Sequence, residues 1–172
     1  MKVQHRTLCL CLASVGRVDT PPNSTNVSKY IHPPTYKEVA YIAENLRQDD
    51  WRELQEGWGI NPALALFLDT LQGHTVVFHV PNGKTAGIAG VSDDGCVWML
   101  CTPAIEDYPI TFIREAKRWL ESLPHKVLYN CADVRNTTHL KLLKHLGFKF
   151  LDVKIQGPKN LYFVEFIRLW QQ

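Results

Sequence analysis

Val127–Asp152, VLYNCADVRNTTHLKLLKHLGFKFLD, reads as strand, short loop, amphipathic helix, glycine stop and second strand. Val127–Ala132 is apolar and suits a buried strand. Asn136 stands just before the periodic run, where a side-chain oxygen can cap the first free helical N–H groups. Leu140, Leu143 and Leu146, with Leu142 beside them, recur at helical spacing, while Lys141, Lys144 and His145 fall off that stripe. Gly147 sits where a helix ends in a left-handed turn. Phe148, Phe150 and Leu151 open the next strand.

Working outward, Asp107 and Pro109 open a helix with Phe112, Ile113, Ala116, Trp119, Leu120 and Leu123 on one stripe, closed by Pro124. Cys96–Cys101 before it and Val127–Ala132 after it then form a parallel strand–helix–strand unit. Thr75–Val80 and Lys84–Val91 form a hairpin across Asn82-Gly83, and Ser92-Asp93-Asp94-Gly95 turns the chain into Cys96–Cys101, giving an antiparallel meander. Val27–Ile31 is a short strand ended by Pro33-Pro34. Thr35 and Glu38 form a capping box for one helix running to about Gln55, with Val39, Ile42, Ala43 and Leu46 inward. Gly57 and Gly59 break it, and Asn61-Pro62 starts a second helix through Leu71. After the Gly157-Pro158 turn, Leu161–Leu169 closes the sheet in a last hairpin.

The run NTTHLKLLKHLGF (Asn136–Phe148) after a strand resembles the C-terminal half of the GNAT N-acetyltransferase fold. With WMLCTPAIEDYPITFIREAKRWL and PPTYKEVAYIAENLRQDDWREL added, the chain resembles the GNAT-like internal virion protein A family of short-tailed bacteriophages over residues 30–170. The resemblance implies an α/β acyl-CoA N-acyltransferase fold: a mixed, mostly antiparallel sheet with a central parallel pair, flanked by helices. Residues 30–172 are expected to form that domain. Residues 1–29 lie outside the resemblance and read as an arm: a strand-capable Val3–Val15, then Gly16 and a Pro/Asn/Ser-rich spacer. Such a strand needs a partner edge on its own domain or another chain.

Length, 172 residues, fits one domain with an appendage, and 45% apolar with 21% charged residues is ordinary for a globular chain. The net charge of +2 makes no case for nucleic acid or a membrane surface. Lys2, Arg6, Arg17 and Lys29 against Asp19 alone put the positive excess in the first 34 residues. The five cysteines, Cys9, Cys11, Cys96, Cys101 and Cys131, show no C-x-x-C pair. They read as reduced thiols of a cytosolic protein. No run approaches the ~20 apolar residues of a membrane span. Leu8–Val15 after a mildly basic start is short for a signal peptide, and no small-residue cleavage pattern follows it. The sequons at Asn23, Asn26 and Asn136 matter only in a secreted chain.

Acetyltransferases of the resembled fold hold a pyrophosphate on a glycine-rich turn at the start of the long helix, where backbone N–H groups and the helix dipole meet the anion. Here that segment is Thr102–Pro109, TPAIEDYP, without glycine, with Glu106 and Asp107 where phosphates would sit and with Pro109 removing a donor. The family's tyrosine four residues before the helix-ending glycine, which protonates the leaving thiolate, is Leu143 in this chain. The family's cofactor contacts map onto Thr102, Ala104 and Asn136, with Thr102–Ala104 offering backbone donors. His74, His79, Glu106, Asp133 and His139 lie near segment ends that border such a cleft. Of these His139 and Glu106 are the nearest to a general base, and none is assigned a catalytic role. No metal-ligand spacing appears. Asp49-Asp50-Trp51-Arg52-Glu53, on the acceptor side of such clefts, reads as a solvated helix end.

The leading expectation is therefore a non-catalytic virion component without a cofactor. It is expected in the virion, and in the host cytoplasm during assembly. The resemblance implies several copies in a symmetric assembly with portal, adaptor, tail or internal core proteins, the arm and exposed Trp51, Trp58 and Tyr108 acting as anchors. No membrane and no specific nucleic acid is expected as partner. The alternative is an active acetyl-CoA-dependent N-acetyltransferase with a divergent cofactor loop.

Overall fold

The computed structural model describes residues 28–71 and 74–170. The arm expected over residues 1–29 therefore lies, apart from residues 28 and 29, outside the described residues. In chain order the elements are β1 (Ile31–His32), α1 (Tyr36–Glu44), α2 (Gln48–Arg52), a π-helical turn (Glu53–Trp58) and α3 (Pro62–Leu71). Then come β2 (Thr75–His79), β3 (Thr85–Val91), β4 (Val97–Cys101), a 3-10 turn (Pro103–Glu106) and α4 (Pro109–Ser122). The last part is β5 (Val127–Asp133), α5 (Thr137–His145), β6 (Lys149–Gln156) and β7 (Leu161–Leu169). No helix among the described residues is long and apolar enough to cross a membrane.

The 127–152 stretch folds as its sequence dictates. The Asn136 side chain accepts from His139 N at 3.2 Å and caps α5. At the other end Gly147 N donates to Lys144 O and Phe148 N to Leu143 O, the paired bonds of a Schellman stop. Gly147 has φ +84°, which a side chain there would resist. Leu143, Leu146 and Phe148 are buried together under α4 and β7.

The sheet departs from expectation where it matters most. β1-β2-β3-β4 form one antiparallel sheet, and β5-β7-β6 form another with β7 in the middle. The expected central parallel pair shrinks to a single bridge, Cys96↔Tyr129. Tyr129 N donates to Gly95 O at 3.1 Å, and the Asn130 side chain reaches Val97 O at 2.9 Å. Beyond that point β4 and β5 part.

Two apolar clusters cover the two faces. Under α4 and α5 lie Phe78, Phe112, Trp119, Leu128 and Phe166. Under α1 and α3 lie Val39, Ile42, Leu66, Val77, Ile88 and Leu100. Val77 and Phe78 show the period-2 logic, since neighbours on β2 enter opposite clusters.

Three further expectations change. The single helix to Gln55 is split: Asn45 caps α1, and the extended Arg47 turns its N–H to Cys101 O at 2.8 Å. The strand placed at Val27–Ile31 is only Ile31–His32. Trp58 and Tyr108 are half-buried, Trp58 against the Phe163 ring and Tyr108 against the α4-side core, so Trp51 alone of the three anchors is exposed.

Asp69 near the end of α3 is buried, and its Oδ2 has no hydrogen-bond partner among the described residues. Burial pushes its carboxyl up to about 7. The folded chain thus binds this proton more tightly than the unfolded one, and the stability it brings is lost as pH rises from about 4 through about 7. Asp69→Asn is expected to raise the melting temperature at pH 8 by a few degrees. The gain should vanish below about pH 4, where the carboxyl is protonated in both states; melting curves across pH read this directly.

Candidate functional site

The mouth of the opening between β4 and β5 is filled by ionisable side chains. Asp50 comes from α2. α2 is separated from α1 by the extended Arg47, and this break lays Asp50 and then Leu54 against the sheet. Asp50 is 3% exposed. One carboxylate oxygen accepts from Cys101 N at 3.0 Å and the other from the Asn136 amide at 2.8 Å. Arg47 Nη1 lies 3.5 Å from the same carboxylate. Burial raises the Asp50 pKa, against the pull of His139, Arg47 and these two donors.

Glu53 and His139 stand beside it. His139 Nδ1 is 4.0 Å from Glu53 Oε2, an ion-pair distance too long for a hydrogen bond. Burial opposes charge on the imidazole, yet Glu53 and then Asp50 outweigh it, so the pKa rises above its usual value. Asp50, Glu53 and His139 border a cavity of about 70 Å³ that runs between the strands to Trp119 and Leu143. Cys101, at the end of β4, is buried, and burial followed by Asp50 pushes its thiol well up, which removes it as a thiolate nucleophile.

The candidates drawn from the sequence scatter. His139 alone of the five suggested bases lies in the cleft. Glu106 is on the rim, 64% exposed, with Arg47 Nε at 3.4 Å. Asp133 is buried but held by the Arg135 guanidinium, which also reaches Glu56. His74 is exposed and faces Asp93. His79 lies with Glu38 and His32, outside this cluster. Leu143 lines the cavity where the family's tyrosine would act, and it carries no proton to give.

The three residues expected to contact a cofactor make bonds within the chain. Thr102 N donates to Ala86 O at 2.9 Å, and Ala104 N donates to Thr102 Oγ1 at 3.3 Å. Pro103 has no N–H. Asn136 spends its oxygen on the α5 cap and its amide on Asp50. Residues 49–53 are corrected. Asp50 is not part of a solvated helix end, because the break at Arg47 rolls α2 onto the sheet. Arg47, Asp50 and Glu53 were missed as site residues. One signal was present: Asp50 falls on the apolar stripe between Leu46 and Leu54.

No protein-family model matches this sequence, and no curated protein matches it. Solved structures do. A ribosomal-protein-alanine N-acetyltransferase from Brucella melitensis superposes with TM-score 0.60 at 15% identity, over 81% of this chain and 99% of that one. The fold is that of the GNAT N-acetyltransferases. A GNAT superfamily phosphinothricin acetyltransferase from Sinorhizobium meliloti, solved with AcCoA, gives TM-score 0.60 at 16% identity over 81% of this chain and 86% of its own. Spermidine N-acetyltransferase from Vibrio cholerae, solved with CoA and spermine, gives 0.57 at 14% over 81% and 94%. At these identities the likeness establishes the fold and leaves activity to the site.

Acetyl-CoA, which the GNAT fold implies, does not fit this site as it stands. The donors of Cys101, Thr102, Ala104 and Asn136 are all engaged within the chain. Glu106 and Asp107 bring negative charge to the turn before α4.

Asp50→Ala leaves the Cys101 N–H without its acceptor and reduces the Asn136 amide and Arg47 to their longer contacts with Glu53 and Glu106. It should cost about 2–4 kcal/mol in urea unfolding, as other broken buried charge networks do. Glu106→Ala, on the exposed rim, should stay within about 0.5 kcal/mol.

Proposed function

We propose that this chain uses the GNAT fold as a non-catalytic scaffold and works through its surfaces in a protein assembly. One observation carries the reading. At its C-terminal end, the edge of β4 that faces the opening is bonded by the chain itself, Arg47 N on Cys101 O and Asp50 on Cys101 N. Cys101, bonded on both its donor and its acceptor, offers no backbone group to a ligand at that end of the strand.

The surface supports the same reading. β6 pairs only with β7, so its outer edge is unpaired among the described residues. It exposes Leu151, Val153 and Ile155, each more than half accessible, with Tyr162 of β7 beside them. An apolar edge strand is a template for another chain. The resemblance of residues 30–170 to internal virion proteins supports a short-tailed phage particle as the assembly, with portal, tail or core proteins as partners. A particle proteome lacking this chain would overturn that assignment.

Acetyl transfer is the second reading, and the fold comparisons favour it, since the three structures named above are N-acetyltransferases. Glu53 and His139 supply its specific observation: a half-buried carboxylate–imidazole pair with a raised histidine pKa, facing a cavity, is the kind of group that takes a proton from an amine. Under this reading residues 45–53 must leave the mouth before acetyl-CoA can enter.

Melting the purified chain with millimolar acetyl-CoA separates the two. Ligand at about a hundred times its dissociation constant stabilises by roughly 2.7 kcal/mol, several degrees for a domain this size. No shift is the expected result. A clear rise, together with turnover lost in Glu53→Gln, would replace the scaffold reading with acetyl transfer.

A further inference from the structure

His32, Glu38 and His79 come from β1, the first turn of α1 and the end of β2. The antiparallel register pairs His32 with Val77, which puts His32 and His79 on one face as diagonal neighbours. Their rings lie 4.8 Å apart, centroid to centroid. Glu38 reaches down from α1 onto the same spot. Its Oε1 is 2.7 Å from His79 Nε2 and 3.4 Å from His32 Nε2. One ligand atom from each residue lies within 4.8 Å of the other two.

The other nitrogen of each ring is already used. His79 Nδ1 faces Gly83 O at 3.2 Å, and His32 Nδ1 faces Pro33 O at 2.8 Å. A carbonyl oxygen only accepts, so these contacts assign the proton to Nδ1 in both rings. Each Nε2 then turns a lone pair toward Glu38 Oε1, which also only accepts. A cation placed between them would satisfy all three atoms at once. A single proton would bridge the 2.7 Å contact of His79 and leave His32 Nε2, at 3.4 Å, unused. A single divalent ion answers it with both imidazoles neutral.

The Glu38 carboxylate is aimed in the same way. Its Oε2 accepts from Thr35 N at 2.9 Å and Thr35 Oγ1 at 2.6 Å. The capping box that starts α1 thus leaves Oε1 free for a ligand role. Outer contacts that fix the tautomer and hold the second carboxylate oxygen are the arrangement metal sites use.

We propose that His32 Nε2, His79 Nε2 and Glu38 Oε1 form a site for a divalent transition-metal ion, Zn²⁺ by donor type, that clips β1 and α1 to β2. Two imidazoles and one carboxylate suit zinc, whereas Mg²⁺ and Ca²⁺ want oxygen alone. Bonds of about 2.0–2.1 Å in a tetrahedral site set donor atoms roughly 3.3 Å apart. The His32–Glu38 separation of 3.4 Å meets this, and the His79–Glu38 contact has to open by roughly half an ångström. The three side chains are 16–39% exposed, so a fourth position is left to water. The clip shares no residue with the cleft cluster and stands apart from any reading of it.

The test is titration of the chelator-stripped full chain with Zn²⁺ alone, followed by calorimetry and melting. One ion per chain and a rise of several degrees are expected, with no response to Mg²⁺. His32→Ala, which removes a partly exposed ring, should weaken Zn²⁺ at least tenfold, as should His79→Ala and Glu38→Gln. Co²⁺ should give the visible absorption of a four-coordinate site in the parent chain and lose it in His32→Ala. A Cys9→Ser, Cys11→Ser double variant should bind as the parent does. Zn²⁺ affinity unchanged in His32→Ala, or lost with the two cysteines, would overturn the proposal.

Discussion

A carboxylate without water must be surrounded by donors, and Asp50 imposes that demand on the middle of this molecule. Leaving a charged oxygen unpaired there would cost several kcal/mol. The chain meets the demand with a strand-end N–H, a helix-capping amide and a guanidinium drawn from three separate segments. The break after α1, the parting of β4 from β5 and the position of α5 all converge on this one group. Asn136 shows the economy of the arrangement, since its oxygen starts α5 while its amide closes on Asp50.

The same closure separates fold from function. The GNAT sheet opens where β4 and β5 have no further partners, and an opening of that kind exposes backbone donors. Such donors can be satisfied by a ligand or by the chain. Here Asp50 takes the one at the end of β4. The two apolar clusters hold the frame on either side and do not depend on what fills the gap, which is why the fold survives without a cofactor loop.

Local chemistry was legible in the sequence. The capping box at Thr35, the Asn-Gly hairpin, the stripe of α4 and the Schellman stop at Gly147 each depend on neighbours within a few residues, and each stands where its pattern put it. The split of the first long helix was not legible, because what ends α1 is a bond from Arg47 to Cys101, far along the chain. Nor was the loss of the parallel pair, since the apolar runs of β4 and β5 are those of strands that would pair along their length.

The sequence by itself determined the elements, their order and the α/β class, because periodicity, caps and turn residues act over one or two turns of chain. It also carried the absence of glycine from Thr102–Pro109. Only the tertiary structure decided what the polar residues do. Asp50 joins Asn136 across 86 positions, and Glu38 joins His79 across 41. No local pattern encodes such pairs. They exist because burial brings distant segments together, and a buried charge must then find its partner in whatever the fold has placed beside it.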